Sequence, residues 1–256
     1  MAYKQLKLWF DKDLAILLSD KILSIKPSFP KKKFVLLVDK QVDALELKDR
    51  VAVIADSLAI SLADTYENNI EILLQILGPE NEEETGMFTN FYWVMPIAKY
   101  IEVNGLEHFD ISMNAIKEIT KRNTGEYTIR PYLEQHPKKT LKVMKKWAKD
   151  KNKHVRRLAS EGVRPRLPWA TKLDQFIKDP KPILPILELL KDDTSKYVQK
   201  SVANCLNDIL KDNLEIGKAL VEKWVPNATK ERKWIIKHGL RSLLKKSDAW
   251  AEDMVG

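Results

Sequence analysis

Apolar residues recur along most of this chain at the three-and-four spacing of an amphipathic helix. Leu14, Leu17, Leu18 and Ile22 fit that template, as do Val51, Ile54, Ala55 and Leu58. Val155, Leu158, Ala159 and Gly162 mark a further packed face. The strict alternation of a half-buried strand is nearly absent. Prolines fall between the helical runs, at Pro27, Pro30, Pro79, Pro137, Pro165, Pro168 and Pro180. Each removes a backbone donor and disfavours helix in the residue before it. The pattern predicts an all-α fold of about a dozen or more helices, each roughly 10–18 residues long, joined by short loops.

A weak internal repeat organises those helices. Asp150-Lys151-Asn152-Lys153-His154-Val155-Arg156-Arg157 resembles Asp193-Thr194-Ser195-Lys196-Tyr197-Val198-Gln199-Lys200, 43 residues further on. A third copy is read at Arg232-Lys233-Trp234-Ile235-Ile236-Lys237, with Ile235 lying 37 residues after Val198. A period near ~40 residues, with an acid, a short gap and a helix opening on an apolar and two basic residues, is similar to HEAT repeats. A single helical hairpin cannot bury its own apolar face, so neighbours must stack. The expectation is a HEAT-like α-solenoid whose concave groove is basic and lined by the second helices of successive pairs. One helical domain is expected over residues 1–256, with an N-terminal helical part over about 1–80 and a repeat core over about 86–246. The acidic run Glu80-Asn81-Glu82-Glu83-Glu84 is the best place for a loop or soft boundary.

Composition narrows the chemistry. Only 8 of 256 residues are glycine, which argues against nucleotide-binding glycine loops and turn-rich β folds. The single cysteine, Cys205, can form no internal disulfide, and the 4 histidines (His108, His136, His154, His238) lack metal-ligand spacing, so neither a disulfide scaffold nor a common zinc site is expected. No N-terminal apolar leader stands out, and no run of ~18 apolar residues occurs. A cytoplasmic, soluble monomer of a reducing compartment is expected, with no membrane partner, no metal and no cofactor. The net charge of +8 is unevenly placed. Residues 121–181 hold 18 Lys and Arg against 6 Asp and Glu, whereas the rest holds 26 against 30. A clustered basic zone beside an acidic remainder is the electrostatic footprint of a nucleic-acid partner.

The most unusual stretch runs from Val155 to Trp169. On a helix, Arg157, Glu161 and Arg164 share one face at i, i+4 and i+7, so a carboxylate is held between two guanidinium groups. Pro165 should end the helix near Arg164 and leave Arg166 and Trp169 on a stiff connector. Spacing alone is equally met by an internal salt bridge that pins the loop. Other acids fall on the same side. Glu126 lies one helix pair earlier; Glu161 aligns with Asn204 in the repeat, and Asp208 lies one turn beyond it. Parallel stacking would place Glu126, Glu161 and Asp208 along one groove.

Arg156 to Trp169, read as RRLASEGVRPRLPW, resembles the signature of the bacterial AlkC-type DNA glycosylases, members of the HEAT-like AlkC/AlkD superfamily. Glu126 to Tyr132 (EYTIRPY) is similar to the motif before that helix, Val202 to Asp208 to the next repeat, and Trp234 to Arg241 to the last. The match is densest from about Phe91 to Lys246 and looser from Leu45 to Pro79. The resemblance implies a monofunctional glycosylase that hydrolyses the N-glycosidic bond of cationic alkylated bases, chiefly N3-methyladenine and N3-methylcytosine, without flipping the lesion. Its partner is double-stranded DNA containing alkylated bases. Carried over by motif, Glu126, Glu161 and Asp208 are the acidic catalytic residues, and Arg157 and Trp169 sit beside them at the DNA and lesion. Arg130, Arg156, Arg164 and Arg166 join the expected DNA-contacting set. Many relatives carry a C-terminal immunoglobulin-like domain, and a form lacking it is expected because no β-rich tail precedes Gly256.

The residue chemistry agrees. An N3-alkylated adenine or cytosine already carries positive charge and leaves readily, and cationic character then moves to the sugar. The protein must supply negative charge beside C1′ and an oriented water, as carboxylates do in sugar hydrolases. The rival from another class is a non-enzymatic HEAT module that grips nucleic acid or an acidic protein partner. Either reading makes the basic segment bind undamaged duplex weakly and with steep salt dependence, since each neutralised phosphate releases counterions. Titrations of labelled duplex at increasing salt should show affinity falling steeply; a flat response would remove the charge argument.

Overall fold

The computed structural model describes residues 4–256, which form sixteen α-helices and short 3-10 turns with no strand among them. Two compact units follow one another, the first ending at Thr128 and the second spanning Ile129–Gly256. The first unit contains α1 (Lys12–Leu23), α2 (Lys31–Asp39), α3 (Leu47–Leu62), α4 (Tyr66–Gln75), α5 (Met95–Asn104) and α6 (Phe109–Thr120). The second contains α7 (Arg130–Gln135), α8 (Pro137–Trp147), α9 (Lys153–Glu161), α10 (Asp174–Lys178), α11 (Leu184–Leu190), α12 (Lys196–Asp212), α13 (Leu214–Trp224), α14 (Lys230–Gly239), α15 (Arg241–Leu244) and α16 (Ala249–Val255).

Several helices are shorter than the expected 10–18 residues because prolines cut them. Pro137 does not lie between helices. It is the first residue of α8, where its missing N–H costs nothing, and Pro131 sits in the first turn of α7. The apolar faces are placed as read, except at one position: Leu14, Leu18 and Ile22 are buried, but Leu17 points outward and Ala15 and Ser19 complete the stripe. Val51, Ile54, Ala55 and Leu58 are all buried in α3. The acidic run at 80–84 lies inside the first unit rather than at the division. The Asn81 N–H donates to the Lys121 carbonyl (2.8 Å), and Lys121 pairs with both Glu80 (3.1 Å) and Glu118 (2.7 Å).

In the second unit α8/α9, α11/α12 and α13/α14 form helical hairpins, and α12 packs between α9 and α14. The repeat read from the sequence is a repeat of N-caps. The side chains of Asn152, Ser195 and Thr229 cap α9, α12 and α14 by accepting from N–H groups of the first turn. Asp150 and Asp193, the matched acids, each accept from the N–H two residues on, at 2.9 Å. The repeats are also cross-linked. Arg156 forks onto Asp193 (2.6 and 3.1 Å), and Arg232 pairs with Asp192.

Gly162, just past the end of α9, allows the close approach that sets α9 down on α8. A Cβ there would lie 2.7 Å from Ile129 Cγ2, 3.0 Å from Met144 Cε and 3.1 Å from the Leu158 carbonyl. Gly162→Ala should therefore destabilise the protein by about 1–3 kcal/mol through overpacking, read as a lowered midpoint in chemical denaturation. An alanine as stable as the parent would mean this contact has slack.

Candidate functional site

The site is built where α9 ends. Asn152 Oδ1 starts the helix by accepting from the N–H groups of His154 (2.9 Å) and Val155 (3.4 Å). Val155, Leu158 and Ala159 turn one face into the core, so Arg157 and Glu161 fall on another. After Glu161 the chain turns through Gly162 and leaves along a connector that carries Arg164, Arg166 and Trp169. Arg130 clasps this connector. It is buried, and its guanidinium donates to the carbonyls of Gly162 (3.3 Å), Arg164 (3.0 Å) and Thr171 (3.0 Å).

Arg164 reaches back from the connector and joins two carboxylates. Its Nη1 donates to Glu161 Oε1 at 2.7 Å, and its Nε and Nη2 donate to the two oxygens of Asp208 at 3.0 and 3.4 Å. Arg157 Nη2 approaches the same Glu161 oxygen at 3.5 Å. The side chains of Glu161, Asp208 and Arg164 are only 7%, 4% and 8% exposed. Two residues along the connector, Arg166 forks onto Asp212 (2.7–3.0 Å), one helical turn beyond Asp208 on α12. Alternate arginines of the connector are thus seated on successive turns of one helix.

The two carboxyls respond differently to the same guanidinium. Burial pushes Glu161 up, but the charges of Arg157 and Arg164 and hydrogen bonds from Ser201 and Arg164 outweigh it, and the group is held below the usual carboxylate range. At Asp208 burial outweighs the attraction of Arg164, and the carboxyl is pushed up. The same guanidinium thus sits between one acid held below its ordinary range and one pushed above it.

The remaining expected site residues lie as follows. Glu126 is a residue of the first unit, buried, with Thr124 Oγ1 donating to its Oε2 at 2.9 Å. Arg156 is committed to Asp193 and to the carbonyls of Asp150 (3.0 Å) and Lys151 (2.9 Å). Arg157 also lies 5.1 Å over the Tyr197 ring. Trp169 is 75% exposed and has φ +64°, a backbone state that bulky residues rarely adopt.

Sequence reasoning missed three partners: Ser201, whose hydroxyl also meets that of Ser160 at 2.7 Å; Tyr197; and Asp212. The i+4 step from Asp208 could have revealed Asp212. It also missed basic residues outside 121–181. A cavity of about 790 Å³ beside α12 and α14 is lined by Lys196, Lys230, Lys233 and Lys237 with Trp234, and Lys196 Nζ sits 3.2 Å over the Trp234 ring. Among the described residues no group of three or more His, Cys, Asp or Glu could hold a metal ion, and no helix is long and apolar enough to cross a membrane.

Comparison with known proteins adds three findings. The profile of a family described as DNA alkylation repair enzyme matches residues 112–243. The uncharacterized protein YhaZ of Bacillus subtilis (strain 168) is 36% identical over 252 residues, covering 98% of this chain and 68% of its own length. Among solved structures, the alkylpurine DNA glycosylase AlkC of Pseudomonas fluorescens, bound to DNA containing an abasic site analog, superposes with a TM-score of 0.90 at 34% identity. That match covers 100% of this chain and 69% of the other.

Proposed function

The chain belongs to the DNA alkylation repair enzyme family, in its AlkC-type branch, and on that footing we propose that it is a monofunctional DNA glycosylase for cationic alkylated bases, N3-methyladenine and N3-methylcytosine, in duplex DNA. The observation that carries this reading is the likeness over the whole chain to the AlkC glycosylase bound to abasic-site DNA; Glu161 and Asp208 meet about one buried guanidinium in the unit that holds most of the basic segment. Glu161 and Asp208 are the acids assigned to catalysis; Glu126 is assigned the same role by its motif alone. Arg157 and Trp169 are assigned to the DNA. The solved relative holding abasic-site DNA supports DNA as the partner.

In the proposed reaction the bond from C1′ to the base nitrogen breaks, and its electron pair leaves with the base and cancels the base's positive charge. A water oxygen bonds to C1′ and gives its proton to one of the carboxylates, which passes it to solvent. The carboxylates stabilise the cationic sugar and orient the water. The alkylated base needs no protonation, and its charge can be attracted by an aromatic face such as Trp169, worth about 0.5–2 kcal/mol. Trp169 is held in a strained backbone state while exposed, a combination that clusters at ligand contacts. The reading also takes the lesion in place, without extruding it from the stack.

One observation favours a second reading. Glu161 and Asp208 are buried in ion pairs, as they would be if the network merely pinned the connector of a non-enzymatic DNA-binding module. Glu161→Gln separates the two. On the catalytic reading the variant melts lower but still folds and binds abasic duplex at the assay temperature, while base release from folded protein falls by about 100-fold or more. On the structural reading activity follows stability. A fully active glutamine refutes the catalytic role.

Selectivity supplies a second test. Defined duplexes carrying N3-methyladenine or N3-methylcytosine should lose the base, whereas uracil, hypoxanthine and ethenoadenine should stay, being neutral at pH ~7 and needing an acid to leave. Efficient release of uracil or hypoxanthine would show Asp208 or another group delivering a proton and would sink the charge argument. Release of N7-methylguanine as fast as N3-methyladenine would sink only approach from the minor-groove side.

A further inference from the structure

We propose that Arg164, expected from the sequence among the DNA contacts, is instead a positioning residue that fixes the Glu161 and Asp208 carboxylates relative to each other and balances their charge within the protein. The inference rests on the glycosylase reading above and assigns a role inside that site.

Geometry carries it. Three N–H groups of one guanidinium are divided between two carboxylates from different helices, at 2.7, 3.0 and 3.4 Å. Glu161 closes α9, Asp208 lies in α12, and the Arg164 side chain is buried between them. Its backbone is clamped as well. Arg130 donates to the Arg164 carbonyl at 3.0 Å, the Arg164 N–H donates to the Glu161 carbonyl at 3.2 Å, and Pro165 follows. A side chain so held has little reach toward a phosphate. It sets instead the distance and orientation of two acids that would otherwise be independent. The planar fork matters, because a lysine ammonium at this place is a point charge that cannot grip both oxygens of Asp208 through fixed donors.

Charge balance gives the second argument. A groove that binds DNA should repel it wherever carboxylates stand uncompensated. Here Glu161 and Asp208 are matched by Arg164 and Arg157. Beyond a Debye length of ~8–10 Å the cluster is close to neutral, so phosphates meet little repulsion. At contact distance a carboxylate oxygen still presents negative charge to a cationic base or sugar. Other charged groups bearing on Asp208 are Lys211 of α12, Arg166 of the connector and Arg241 of α15, beside the neutral, buried Cys205 thiol. On Glu161 the other charge is Arg157, and the Ser201 hydroxyl adds a hydrogen bond.

The test compares wild type with Arg164→Lys and Arg164→Gln in single-turnover release of N3-methyladenine across pH, alongside melting and binding to abasic duplex. Removing the guanidinium makes both carboxyls harder to ionise. The acid limb of the rate profile should therefore move to higher pH, and the rate on the plateau should fall about 10–100-fold, as when an orienting partner is lost. Duplex affinity should stay within about two-fold, since no phosphate contact is removed. Arg164→Gln leaves carboxyls that take up protons, so its fold is best kept at mildly acid pH, where binding and the acid limb are still readable. Arg232→Gln, which breaks the Arg232–Asp192 pair outside the site, should lower the melting temperature without moving the acid limb. Folded Arg164 variants with an unmoved acid limb and a wild-type rate overturn the proposal and leave the glycosylase reading standing. A loss confined to duplex affinity, with the rate intact at saturating protein, overturns it in favour of direct DNA contact. A wild-type protein that releases no base overturns both.

Discussion

A carboxylate taken out of water must be paired or give up its charge, and two such carboxylates in this chain share one guanidinium. Arg164 stands between Glu161 at the end of α9 and Asp208 within α12; it pairs with both, and Arg157 adds a second positive charge beside Glu161. Breaking a buried pair of this kind costs about 3–5 kcal/mol, because the remaining charge is left uncompensated. The arrangement is therefore demanding: the connector must present Arg164 correctly, and α9 and α12 must hold a fixed separation. Much of the second unit answers those two demands.

The N-caps and arginine forks supply the fixed separation. Asn152 and Ser195 set where α9 and α12 begin, and Arg156 ties α9 to the turn before α12 through Asp193. Gly162 allows α9 to sit close on its neighbours before the chain turns. Arg130 and the Arg166–Asp212 pair then hold the connector at both ends of the stretch that carries Arg164. Arg130, Arg156, Arg164 and Arg166, which sequence placed at the DNA, each have partners within the protein. Arg157 also faces Tyr197, and Trp169 is exposed. The same network explains how acids can reside in a strongly basic unit, since their charge is balanced at short range.

The helical architecture was legible because its signal is local. Apolar residues at helical spacing marked α1, α3 and α9, and the 43-residue offset matched the caps of α9 and α12. The Arg157–Glu161 pair was also legible, being a matter of helical spacing, but α9 ends at Glu161, so Arg164 meets the acid by folding back from the connector and not as a third residue of one helix face. The sequence did not show which way Arg164 would turn. Reading Pro165 as a helix end located the connector, but whether a side chain there points to solvent or folds back depends on Asp208, 44 residues away. Leu17 failed for a related reason: a three-and-four template cannot tell the edge of a buried stripe from its centre when Ala15 and Ser19 can fill the interior. The basic residues at Lys196 and Lys230 were hidden because a charge count along the chain averages over positions that only the fold brings to one cavity. The partners of Arg130 were hidden as well, because they are backbone carbonyls, which carry no sequence signature.

The account stands most directly on whether this protein breaks a glycosidic bond. The decisive measurement incubates the purified protein with methylated duplex DNA and counts released bases by chromatography, abasic sites by aldehyde labelling and strand breaks by gel. The account predicts that N3-methyladenine and N3-methylcytosine appear with time, matched one for one by abasic sites in unbroken strands. Duplex that is bound yet yields neither bases nor abasic sites would contradict it and leave a DNA-gripping module in its place.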